Sequence, residues 1–140
     1  MHILVTGGAG FIGSNFVRKV VSGAYTNSDS HRVTVLDALT YAGNEANLVS
    51  VSDSKNFRFV HGNILDANLV NQLFSDVDAV VHFATESHVD RSISGSQEFI
   101  MTNVVGTHTL LEAAKNNKVF KFVHVSTDEV YGSIESGSWD

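Results

Sequence analysis

The chain has 140 residues, 43% of them hydrophobic, which is enough for one domain with a full core. Its formal net charge of −6 leaves no broad basic face for a phosphate backbone, so nucleic acid is excluded as a partner. No apolar run approaches the ~20 residues that span a bilayer, and the absence of cysteine removes disulfides and thiolate metal sites. With Ile3 to Val5 too short for a signal-peptide core, the expectation is a cytoplasmic protein with no membrane partner and no metal.

Ile3-Leu4-Val5 reads as a first strand. Phe11 to Val21 reads as a helix, with Phe16, Val17, Val20 and Val21 on one face and Gly23 as its stop. The polar stretch Tyr25 to Ser30 reads as a loop. Arg32 to Asp37 (RVTVLD) is a β-branched second strand, and Asn56 to His61 (NFRFVH) a third. Asp66 is placed to cap a helix running through Phe74. Ala79 to Phe83 is a fourth strand. Ser96 to Asn116 holds one long helix with Leu110, Leu111 and Ala114 as core positions, and Phe120 to Val125 is a fifth strand.

Strands alternating with helices over ~25–30 residues imply crossover units, which build a parallel sheet with helices on both faces. The expected architecture is a Rossmann-type doubly wound α/β fold with strand order 3-2-1-4-5. Trp139-Asp140 falls in what reads as loop, with no linker composition before it. Residues 1–140 therefore read as an incomplete domain, truncated before later strands and a substrate-binding part.

Thr6-Gly7-Gly8-Ala9-Gly10-Phe11-Ile12-Gly13 leaves the first strand and opens the first helix. Gly7 permits the sharp turn, Gly10 lets backbone approach a pyrophosphate, and Gly13 lets the helix pack closely. Free N–H groups at the helix start, aided by the helix dipole, then face the phosphates. An ordinary glycine-rich turn is the competing reading. Asp37 ends the second strand, where a carboxylate can accept hydrogen bonds from the adenosine ribose hydroxyls and repel a 2′-phosphate, favouring NAD over NADP. The alternative for Asp37 is a turn-initiating residue before Ala38.

TGGAGFIGS, DALTYAGN, HFATESHVDRSI, TNVVGTHTLLEAA and STDEVYGS together resemble the dTDP-glucose 4,6-dehydratases, a family of extended short-chain dehydrogenases/reductases. The likeness runs over essentially the whole chain. It implies bound NAD, with Phe11 and Ile12 beneath the pyrophosphate and Asp37, Ala38, Leu39 and Thr40 around the adenosine ribose. It further implies Asn63 and Ile64 beside the adenine, the loop Phe83, Ala84, Thr85, Glu86 and Ser87 along the cofactor, and Thr102 as another neighbour. Ser87 also reaches substrate, Thr127 holds the sugar, Asp128 is the acid and Glu129 the base. The family usually has Asp at Asn63 and Ala at Thr85; an Asn amide oxygen still accepts from an adenine amino group.

The implied reaction is redox-neutral. NAD takes hydride from carbon 4 of dTDP-glucose, the ketone acidifies the carbon 5 proton, a base removes it while an acid protonates the departing hydroxyl, and hydride returns to carbon 6. The middle step needs two titratable groups in different protonation states. Adjacent strand residues point to opposite faces, so Asp128 and Glu129 can share one sugar only where the chain leaves the pleat. A solvated acidic turn is the plain alternative.

The family's Tyr-x-x-x-Lys is missing: four residues after Tyr25, Tyr41 and Tyr131 stand Asp29, Glu45 and Glu135. It is expected beyond the STDEVYG segment, together with the sugar-nucleotide-binding part, in a full-length homodimer. Other nucleotide-sugar epimerases or dehydratases, GDP-mannose 4,6-dehydratase among them, and a non-catalytic NAD-binding module remain as alternatives. Epimerases lack the paired acids, and GDP-mannose dehydratases typically place Ser before the Glu. The seven histidines show no metal-ligand spacing. His82 and His124 read as packed neutral rings, while His88, Asp90 and Arg91 read as a substrate or subunit contact or as plain loop.

Overall fold

The computed structural model describes residues 1–25, 31–134 and 136–138. Most of the expected Tyr25–Ser30 loop and the Trp139-Asp140 terminus lie outside the described residues. The apolar runs form β1 (His2–Thr6), β2 (Arg32–Asp37), β3 (Phe57–His61), β4 (Ala79–His82) and β5 (Lys121–His124). They pair in parallel in the order β3-β2-β1-β4-β5, as the alternation of strands and helices requires. The chain reverses direction across the sheet between β1 and β4, and the loops that leave the central strands open there.

Pleating divides the core in two. Leu4, Leu36 and Val80 face α2 (Ala67–Phe74) and α5 (Thr107–Asn116), packing on Val70, Leu73, Phe74, Leu110 and Ala113. Ile3, Val5, Val33 and Val35 face α1 (Phe11–Val21) and a 3-10 segment, Glu45–Val51, through Val17, Val20, Leu48 and Val51. The ends of the helices follow side-chain and backbone capping. Asp66 Oδ1 accepts from the amides of Asn68 and Leu69 at 3.1 and 3.0 Å. Gly23, at φ +73, closes α1 while Ala24 N–H donates to Lys19 O at 2.9 Å.

Four features differ from expectation. The long helix is three joined pieces: α4 (Ser96–Phe99), a π-helical stretch Ile100–Gly106, and α5. A short helix, α3 (Val89–Ser94), follows β4 where loop was one of the readings. Leu111 is exposed, because a step of one residue rotates it away from buried Leu110 and Ala114. His124 is exposed too, because β5 is a sheet edge; it lies beside the His82 ring with centroids 4.8 Å apart.

Candidate dinucleotide-binding cleft

An open cleft lies over the carboxyl ends of β1 to β4. The β1–α1 turn supplies Gly7 and Gly10; the segment leaving β2 supplies Leu36, Asp37, Ala38, Thr40, Ala42 and Gly43. Gly62, Asn63 and Ile64 follow β3, Phe83 to Glu86 follow β4, and Thr102 comes from the π-helical stretch. Ligands sit at this end of a parallel sheet because the loops of neighbouring strands diverge there.

Two glycines are dictated by space and conformation. Gly7 has φ +69, and a Cβ on it would lie 2.7 Å from Ala84 Cα. At Gly13 a Cβ would lie 2.9 Å from Gly8 Cα, so it is the glycine turn before α1, rather than a strand, that leaves no room for a side chain at this position. A Cβ on Gly10 would meet only Gly7 O, at 3.4 Å, which leaves the cleft side of the turn open to a ligand.

Asp37 is buried and fixes this turn. Its Oδ2 accepts from Ala9 N–H at 2.8 Å and its Oδ1 from Leu39 N–H at 2.9 Å. It is thus a turn-forming residue and a cleft residue at once. Leu39 adopts φ +50, and Gly43 leaves room for the carboxylate, a Cβ there falling 2.7 Å from Oδ1. Asn44 N–H and Asn47 Nδ2 both donate to Ala9 O, at 3.1 and 2.9 Å, tying the segment after β2 to the glycine turn.

Across the cleft one side chain holds the loop after β4. Asn103 Oδ1 accepts from Glu86 N–H at 2.8 Å and from Thr85 Oγ1 at 3.0 Å, and its Nδ2 donates to Glu86 O at 2.8 Å. The hydroxyl that Thr85 adds is therefore taken up by Asn103. The Glu86 carboxylate is buried, and its Oε2 has no hydrogen-bond partner among the described residues. Beneath the loop, His82 Nδ1 lies 2.7 Å from Thr6 Oγ1 and Nε2 lies 3.0 Å from Thr107 Oγ1. Burial, and secondarily His124, push the His82 pKa down to about 4, so the ring is neutral.

The expected site residues do not all share this cleft. Phe11 and Ile12 open α1 with exposed side chains, and Gly13, Leu39 and Ser87 do not line the cleft. Thr127 is extended, after which the chain leaves the pleat in a 3-10 turn, Asp128–Tyr131. Asp128 and Glu129 are exposed on it, outside the cleft. Leu36, Ala42, Gly43, Gly62 and Asn103 were not anticipated. Gly62 beside Asn63 was a visible signal, whereas nothing local marks a helical Asn as the clamp of a loop 17 residues away. Among the described residues no group of three or more His, Asp or Glu could hold a metal ion.

Strand order 3-2-1-4-5, a glycine turn at the first strand-to-helix junction and an acid ending the second strand define a Rossmann-type fold of the dinucleotide-binding class. Residues 4–139 match the family model described as GDP-mannose 4,6 dehydratase, and the chain belongs to that family. It is 56% identical over its full length to a dTDP-glucose 4,6-dehydratase of Streptomyces niveus, of which it covers 42%. It is 55% identical over 99% of its length to the low-salt glycan biosynthesis protein Agl12 of Haloferax volcanii, covering 43%. The crystal structure of DesIV, a dTDP-glucose 4,6-dehydratase of Streptomyces venezuelae with NAD bound, superposes with a TM-score of 0.94 at 60% identity. That match covers 99% of this chain and 43% of DesIV. The chain thus spans less than half the length of these relatives.

Proposed function

We propose that residues 1–140 are the NAD-binding N-terminal portion of a dTDP-glucose 4,6-dehydratase, a hydro-lyase of nucleotide-sugar metabolism acting in the cytoplasm as a homodimer. The observation that carries the reading is the buried Asp37 carboxylate between the glycine turn and the ribose-side loop of the cleft. The cleft fits NAD: Gly10 leaves its outer side open, the first turn of α1 carries no side-chain cap so that its N–H groups can face a phosphate, and Asp37 disfavours a 2′-phosphate by charge. Thr127-Asp128-Glu129 supports the dTDP-glucose reaction over that of a GDP-mannose dehydratase or an epimerase. The similarity to named dTDP-glucose enzymes supports it too. The absence of any membrane-length apolar helix among the described residues fits the cytoplasmic setting.

When bound, NAD would supply a reversible hydride acceptor. The chain's own residues do the rest. Gly7, Gly10 and Gly13 bring the turn close to the cofactor, with Phe11 and Ile12 at the start of the helix. Ala38, Leu39 and Thr40 continue the ribose side begun by Asp37. Asn63 and Ile64 border the base, Thr102 and the loop Phe83-Ala84-Thr85-Glu86-Ser87 flank the second half, and Ser87 and Thr127 hold the sugar. Asp128 protonates the departing carbon 6 hydroxyl while Glu129 takes the carbon 5 proton. The 3-10 turn that takes these two acids off the pleat lets both face one sugar.

The test uses the full-length protein with dTDP-glucose. The 4-keto-6-deoxy sugar should form with NAD, and Asp128→Asn should slow water elimination by ~10²–10⁴-fold while transient NADH absorbance persists. Loss of the NADH transient with elimination intact would reverse the assigned roles. Equal affinity for NAD and NADP would remove Asp37 as the selecting residue.

A further inference from the structure

Strand order puts β1 between β2 and β4, so a contact between the segments leaving β2 and β4 has to cross the end of β1 and the glycine turn that starts there. Such a contact is present. Tyr41, past Asp37 in the segment after β2, meets His88, past Glu86 in the segment after β4. Their rings stand edge to face with centroids 6.4 Å apart and planes at 78°. Both side chains are exposed, and neither lines the cleft, whereas Thr40, Ala42 and Glu86 do. The pair therefore stands at the mouth of the cleft rather than in its wall.

Each ring is carried on a segment fixed on both sides of it. Leu39, at φ +50, turns the chain after β2, and Gly43 N–H donates to Thr40 O at 3.0 Å, closing a turn with Tyr41 and Ala42 at its tip. Asn44 N–H then ties the far side of that turn to Ala9 O. On the other arm Asn103 holds the N–H and C=O of Glu86, and His88 O accepts from Ser92 N–H at 3.2 Å where α3 begins. With both arms anchored, the parts left to move are the two side chains, by rotation about χ1.

A dinucleotide lies across the crevice where the strand order reverses, and so beneath a contact that joins the β2 segment to the β4 segment. We propose that Tyr41 and His88 form a clasp over the cleft, which must part for the dinucleotide to enter or leave and thereby slows its exchange. This rests on the NAD reading above. The redox-neutral reaction gives the clasp a use: the cofactor ends each turnover as it began, so exchange serves nothing. Retention keeps the hydride beside the sugar that must take it back. A clasp that only bars the way slows arrival and departure alike, whereas a residue that grips the cofactor acts mainly on departure.

The test is stopped-flow fluorescence on the full-length protein, mixed with NADH to read association and, once loaded, chased with excess NAD to read dissociation. Loss of an aromatic pair should speed both rates by about two- to tenfold, in Tyr41→Ala and in His88→Ala, with Kd staying within about twofold. The double variant should be no faster than the quicker single, because either substitution removes the same contact. Tyr41→Phe should leave both rates as they are, which separates the ring from the hydroxyl. The side chains are exposed, and an unchanged Kd shows that each variant keeps a folded cleft. Unchanged rates in both single variants overturn the inference. Faster dissociation at unchanged association overturns it too, since the rings would then be ordinary cofactor contacts, and so do additive gains in the double variant. Failure of the unsubstituted protein to bind NADH overturns the NAD reading itself, which separates the two failures.

Discussion

His82 is a group whose protonation the fold opposes. It lies between Thr6 and Thr107 with almost no exposure, and burial, then His124, depresses its pKa from 6.5 to about 4. In the unfolded chain the ring takes a proton near pH 6.5, while in the folded chain it resists until about pH 4. Between those values the unfolded state binds more protons, so stability rises with pH and is lost on acidification. The neutral ring's contribution is fully present above about pH 6.5 and gone below about pH 4. The slope from this group approaches ~1.4 kcal/mol per pH unit and totals on the order of 3 kcal/mol. Urea unfolding of the chain between pH 4 and 7 should show that slope, and His82→Asn should flatten it. Equal slopes in the two proteins would show that the acid sensitivity lies in the carboxylates instead. Nearby, Asp37 shows why two readings of one residue need not compete. The same carboxylate turns the chain at Leu39, pins Ala9 and faces the cleft.

Helix ends separate what sequence reveals from what it hides. α1 stops at Gly23, and Gly there is readable because few other residues accept φ +73. α5 ends in the same geometry without the signal: Lys118 takes φ +56, its N–H donating to Lys115 O while Val119 N–H donates to Ala114 O at 2.9 Å. A left-handed non-glycine residue costs about 1 kcal/mol. Lys118→Gly should therefore raise the unfolding free energy by about 0.5–1 kcal/mol, read as a higher urea midpoint at unchanged slope. A lower midpoint would mean that the lysine stem packs usefully. The strands, their order and α1 are legible because apolar period and glycine placement act locally. The 3-10 segment Glu45–Val51 starts at Asn44, whose side chain accepts from Ala46 N–H, in a stretch without helical period. The π-helical stretch Ile100–Gly106 spans seven residues, too few for a widened turn to shift the apolar pattern visibly. In the cleft, Asp37 is legible from its place at a strand end. The Asn103 clamp is not, because it depends on tertiary contact alone.

At the scale of the whole chain the sheet has an unprotected side. Among the described residues β5 pairs with β4 alone, and Phe120, Val123 and Val125 are 84%, 39% and 41% exposed along it. Lys121 is the one charge within that strand, and a short apolar edge with free N–H and C=O groups is a template for another chain. Exposed Ile100, Val104 and Leu111 along the α4–α5 run add apolar surface that association can cover. The 140 residues should therefore self-associate in solution, and Val123→Lys, which places a second charge on the edge, should shift the population toward monomer. Light scattering coupled to size-exclusion chromatography reads both, and a monodisperse monomer of the unsubstituted chain would contradict the argument. The proposed dehydration has a separate shortfall in the same 140 residues: none of their tyrosines has a Lys four residues on, the pair that the family resemblance assigns to the 4-hydroxyl of the sugar. A positioned acid–base group contributes ~10²–10⁴-fold, and orientation of the nucleotide adds more. Isolated residues 1–140 should bind NAD through the glycine turn and Asp37 yet form no 4-keto sugar from dTDP-glucose above the enzyme-free blank. Product above that blank would mean that another group of this chain, with Glu129 the nearest in chemistry, can take the proton that the tyrosine is expected to take.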